Sequence, residues 1–113
     1  MRIGEVVGQL SLSVAHPSVR GKRWALAIPW SLSDVAARTE ISKSSARNES
    51  AEEIVAIDEL GTAEGDCIGM AEGGEAAMAY FPEDKPLDAY VCCIVDEMTL
   101  DRHLVERLLK PGK

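Results

Sequence analysis

The chain has 113 residues, 46% of them apolar and 27% charged, with a formal net charge of −7. That length suits one domain with a modest core, and oligomerisation is a natural source of further burial. The acidic balance argues against a nucleic-acid partner: the longest basic stretch, Arg20-Gly21-Lys22-Arg23, is too short to form a stripe along phosphates. Cys67, Cys92 and Cys93 are odd in number and lie in apolar runs without a C-x-x-C pair, so they read as buried free thiols rather than a metal or disulfide framework. With neither a secretory h-region nor an apolar run long enough to span a bilayer, the chain is expected to be soluble and cytoplasmic, with no membrane partner.

In chain order, the first element predicted is a half-buried strand from Arg2 to about Ala15. Val6, Leu10, Leu12 and Val14 share one parity there, and Gly8 marks a bend or bulge. His16–Gly21 reads as a turn. A second strand follows over Arg23–Trp30. One face is bulky (Trp24, Leu26, Ile28, Trp30) and the other small (Ala25, Ala27, Pro29), and Pro29 demands an edge or a bulge at that end. One or both tryptophans are expected in the barrel core.

Residues 31–52 hold six serines and no aromatic residue. They read as a polar surface insertion in a single domain spanning 1–113, opened by a short helix that Ser33 caps. Strand-length apolar runs follow at Glu53–Asp58, Asp66–Ala71 and Ala89–Val95, with a short helical turn over Glu75–Ala79 between the last two. Leu100, Leu104 and Leu108 then recur every four residues beside Val105 and Leu109, which predicts an amphipathic helix capped by Thr99 and stopped at Pro111-Gly112. Together these elements make a mainly β fold, a small five-stranded OB-like β-barrel with a short internal helix and a C-terminal amphipathic helix.

The motifs resemble one family. Val7-Gly8-Gln9 in the first strand, Val55-Ala56-Ile57-Asp58, Gly61-Thr62-Ala63-Glu64-Gly65-Asp66 and Ile94-Val95-Asp96-Glu97 occur in the order and spacing of the EutN/CcmL microcompartment vertex proteins. Ala63 stands where that family carries a second loop glycine. The resemblance implies a structural shell protein: a homo-pentamer that caps the vertices of a bacterial microcompartment beside hexameric shell proteins. It implies a heterologous contact around the ring. It also implies that Gly61, Thr62, Ala63, Glu64 and Gly65 face the five-fold axis, where Glu64, and with it Asp66, would form a negative ring. The competing reading of the loop is a plain tight turn with solvated acids.

No catalytic, cofactor-binding or metal-binding residues are expected. His16 and His103 lack a neighbouring nucleophile motif, Asp96-Glu97 and Glu83-Asp84 are adjacent acids that diverge on an extended chain, and Gly61–Gly65 lacks the Lys-Ser/Thr of a phosphate loop. The alternative function is a free-standing OB-like module that binds a small molecule or a protein. A small enzyme is the third reading, and it has no set of groups at a working spacing.

Overall fold

The computed structural model describes residues 1–38 and 52–109. The greater part of the expected insertion, 39–51, and the expected helix stop at Pro111-Gly112 lie outside the described residues. Five strands, β1 (Arg2–Leu10), β2 (Trp24–Pro29), β3 (Ile54–Ile57), β4 (Cys67–Glu72) and β5 (Ala89–Ile94), close into a barrel in the order β1-β2-β3-β5-β4. Every neighbouring pair is antiparallel except β3–β5, which meets in parallel at Ile57 and Tyr90. This is the OB-like arrangement expected from the run of apolar segments. Among the described residues there are three helices, α1 (Leu32–Arg38), α2 (Gly74–Ala77) and α3 (Arg102–Leu109), and two 3-10 turns, Pro17–Val19 between β1 and β2 and Met78–Tyr80 between α2 and β5.

β1 is shorter than its alternation suggested. Leu10 is its last residue and pairs with Trp24, the first residue of β2, so beyond it there is no strand to pair with. Leu12 is 46% exposed and Val14 92% exposed. Alternation forecasts burial only where a second strand continues the ladder. Gly8 does mark a bulge: the register slips between Val6, opposite Ala27, and Gly8, opposite Leu26.

The barrel interior is filled by Val6, Ala25, Ala27, Ala56, Ile68, Met70, Ala89 and Val91. The small face of β2 therefore points inward and its bulky face outward. A closed five-stranded barrel has a narrow lumen, and alanines on one wall leave room for Ile68, Met70 and Val91 on the others. The tryptophans correct the expectation. Trp24 is buried, but in a second cluster with Val19 and Ile57, flanked by Leu10, Leu87, Tyr80 and Tyr90. Trp30 is only half-buried. Pro29 pairs with Gly4 but lies past the β2–β3 ladder, which ends at Ala27, so its missing N–H disrupts no bond there.

The caps fall on other residues than expected. Ser31, not Ser33, starts α1: its backbone N–H donates to Asp34 Oδ2 at 2.9 Å, and its hydroxyl accepts from the Asp34 N–H at 3.3 Å. Asp101, not Thr99, caps α3 by accepting from the Leu104 N–H at 3.0 Å. Aspartate is the better acceptor and sits at the required offset. On α3 only Val105 is buried, while Leu104 and Leu108 remain exposed. Among the cysteines, Cys67 and Cys93 are half-buried, whereas Cys92 is exposed, contrary to the buried reading. The register slip between Gly69 and Met70 in the β4–β5 ladder leaves Cys92 without an opposite residue.

Gly4 on β1 leaves no room for a side chain against β2 and β4. A Cβ there would meet Ile28 O at 2.6 Å, Met70 Cε at 2.8 Å and Pro29 Cα at 3.1 Å. Two of those atoms are backbone and cannot swing aside. Gly4→Ala is therefore expected to destabilise the barrel by about 1–3 kcal/mol, read as a lowered denaturant midpoint.

Candidate functional site

The loop between β3 and β4 is organised by the residue that ends the preceding strand. Asp58 is 2% exposed. Its Oδ1 accepts from the Leu60 N–H at 2.9 Å and the Gly61 N–H at 3.1 Å. Its Oδ2 accepts from the Thr62 N–H at 2.8 Å, the Thr62 hydroxyl at 2.7 Å and Arg23 Nε at 3.2 Å. One carboxylate thus pins three successive backbone amides. Burial pushes its pKa up, but hydrogen bonds from the Thr62 hydroxyl and the Leu60, Thr62 and Gly61 amides outweigh that and hold it below the ordinary carboxylate value.

The far side of the loop is equally fixed. The Thr62 carbonyl accepts from Arg23 Nη2 at 2.6 Å and from Gln9 Nε2 at 2.8 Å. Asp66 Oδ2 accepts from the Ala63 N–H at 2.8 Å. The Gly65 N–H donates to Val6 O at 2.8 Å, and the Val6 N–H to Asp66 O at 2.9 Å. Gly61 and Gly65 take φ of +78° and +93°, a region that suits glycine. The loop is a rigid crest with Thr62 buried and Gly61, Ala63, Glu64 and Gly65 exposed.

Of the two acids assigned to this loop, Glu64 stands on the exposed crest, whereas Asp66 turns its carboxylate back into the turn. The plain-turn reading with two solvated acids therefore fits Glu64 alone. Asp58, Arg23 and Gln9 were not singled out as loop residues in the sequence. An acid at a strand end followed by a Gly-Thr pair is the Asx-turn signal that finds Asp58. Arg23 and Gln9 are far from the loop in sequence and offer no such signal.

A second surface lies on the outside of the barrel. Leu26, opposite Val55 on β3, and Ile28, opposite Glu5 on β1, project outward, with Trp30 next along the strand. The Trp30 N–H donates to Ile3 O at 2.8 Å, which extends the face to β1. Ile3, Leu26, Ile28 and Trp30 are half-buried and Val55 is 44% exposed. An outward sheet face with this many large apolar side chains, interrupted by Glu5 opposite Ile28, suits an interaction surface.

The histidines take local roles. His16 Nδ1 accepts from the Ser18 N–H at 3.1 Å and lies 2.7 Å from Ser18 Oγ. Ser18 stands beside His16, but the same nitrogen caps the 3-10 turn, so the pair is a local turn contact and not a nucleophile motif. His103 is exposed on α3, as are Glu83, Asp84, Asp96 and Glu97 on their loops. Among the described residues, no group of three or more His, Cys, Asp or Glu side chains is placed to hold a metal ion, and no helix is long and apolar enough to cross a membrane.

The family described as "Ethanolamine utilisation protein EutN/carboxysome" matches residues 1–96. The chain belongs to the EutN/CcmL family. Among solved structures, EutN from Escherichia coli is 23% identical with a TM-score of 0.67, covering 88% of this chain and 89% of its own. CcmL of Gloeobacter violaceus is 25% identical with a TM-score of 0.66, covering 90% and 92%. GrpN, a pentameric microcompartment shell protein from Rhodospirillum rubrum, is 20% identical with a TM-score of 0.63, covering 89% and 100%. Among curated proteins no sequence matches. These structures share the EutN/CcmL barrel, and membership of the family carries the structural shell role expected from the resemblance. The family match ends at Asp96, so α3 lies beyond it.

Proposed function

We propose that this chain closes a ring of five copies at the vertices of a bacterial microcompartment shell, beside hexameric shell proteins and without a catalytic site or cofactor of its own. The observation that carries this reading is the outward apolar face of Leu26, Ile28, Trp30 and Val55 on a barrel of the EutN/CcmL family. A free-standing module would gain nothing from half-exposed Leu, Ile and Trp on the outside of a sheet while alanines line the inside. In a heterologous ring, the same face is covered by a different face of the next copy. The pentameric state of GrpN supports the same stoichiometry.

In this reading the crest Gly61–Gly65 lines the five-fold axis. The hydrogen bonds of Asp58 and Asp66 keep five copies of the crest in one conformation, and Glu64 supplies the negative charge of the opening. A polar insertion at about 31–52 decorates one domain spanning the chain.

Mass measurement in solution tests the assembly. The reading expects a particle near five times 12.2 kDa, whereas the binding-module alternative expects a monomer or dimer. Glu64→Ala is expected to leave that mass unchanged while making the axial opening less negative, seen as weaker exclusion of small anions from reconstituted shells. Dissociation of this variant into monomers would make the crest an assembly element and sink the pore assignment.

A further inference from the structure

Gly69 lies on the outward side of β4, between Ile3 on β1 and Cys93 on β5. A Cβ at this position would stand 2.7 Å from Cys93 Sγ and 2.7 Å from Met1 Sδ. Two sulfurs therefore share the space that one missing side chain leaves open. Cys67, two residues earlier on the same strand, faces the same side. Val95 donates its N–H to Cys67 O at 2.7 Å, and Cys93 pairs with Gly69, so the two thiols are diagonal neighbours across the β4–β5 ladder. The Cys67 thiol is pushed up first by burial and then by the charges of Cys93 and Glu5. Cys92 stands apart as the bulged, exposed residue of β5.

Two thiols and a thioether form a soft donor set. The described residues hold no cluster of three His, Cys, Asp or Glu side chains, so the site lacks the ligands that a structural zinc requires. Thiolate and thioether sulfur at low coordination number suit Cu(I) instead. We propose that Cys67, Cys93 and Met1 form a Cu(I) site over Gly69, on the outer face of β4 and β5. Binding displaces the thiol protons to solvent, with no change in copper oxidation state. The site is built from residues of a single chain.

The test is anaerobic titration of the full chain with Cu(I) against the chromophoric chelator bathocuproine disulfonate. The expected result is uptake of a single Cu(I) per protomer, not displaced by excess Zn(II). Cys67→Ser and Cys93→Ser, both nearly isosteric, are each expected to abolish that uptake while circular dichroism reports an intact fold, and Cys92→Ser is expected to retain it. Copper-edge absorption on selenomethionine-labelled protein should show a Cu–Se shell from Met1. Failure of the wild-type chain to compete with the chelator overturns the proposal. So does uptake that survives in either serine variant, loss of uptake in Cys92→Ser, which would point to a Cys92–Cys93 chelate, or a copper shell without selenium.

Discussion

Asp58→Ala is expected to destabilise the protein by about 3–5 kcal/mol, measured by urea unfolding, because it strips the β3–β4 loop of its organising acceptor. The carboxylate accepts five hydrogen bonds, from Leu60, Gly61, Thr62 twice, and Arg23. Thr62 is fully buried, so its N–H and hydroxyl cannot turn to water when the partner disappears. Each unsatisfied buried donor costs about 1–3 kcal/mol, and the lost bonds to Leu60 and Gly61, which water can replace, add less. Asp58→Asn separates shape from charge. Its Oδ1 still receives Leu60 and Gly61, but the amide nitrogen then faces the donors of Thr62 and Arg23, so most of the loss should remain.

The same carboxylate sets a pH dependence. Its folded-state pKa lies below the ordinary value, which is about 3.9 in an unfolded chain. Its contribution is therefore complete above that unfolded value and is lost as the pH falls through the lower folded-state value. Wild-type stability should decline across this acidic window, and Asp58→Ala should decline less steeply there. Parallel acid profiles for the two proteins would show that Asp58 is not the linked group.

Leu26→Asp is expected to convert the proposed five-membered ring to monomers near 12.2 kDa while leaving the barrel folded. Leu26 is half-buried in the isolated chain and faces Val55, not the core, so an aspartate there remains solvated and costs the monomer little. Inside a ring contact the same charge is desolvated without a partner, once per interface, which no association of moderate area tolerates. Solution mass and circular dichroism together read the outcome. A folded pentamer of this variant would show that the outer face of β2 is not the ring contact. Loss of fold would show that Leu26 belongs to the core instead.

The fold was largely legible because its elements are short and bounded. The runs around Ile54–Ile57, Cys67–Glu72 and Ala89–Ile94 each match an apolar stretch between glycines, prolines and acids, and their edges moved by only a residue or two. The long first strand was overestimated because Leu12 and Val14 continue the alternation where no ladder remains. The crest Gly61–Gly65 was legible from its glycines, and the structure gives it a fixed shape. The residues that fix it were not, because Arg23 and Gln9 come from other strands and meet Thr62 only when the barrel closes.

By itself, the sequence determined the strand count, the helical end and the family, since period, turn residues and motif order are properties of the linear chain. Tertiary structure alone decided which face of β2 looks inward. Alternation shows that Ala25 and Ala27 differ from Leu26 and Ile28, but only the narrow lumen of a closed barrel makes the small face the buried one. The same closure brings Asp58, Arg23 and Thr62 into contact and gathers sulfurs above Gly69, because distances across a barrel depend on register and shear, which no local pattern encodes.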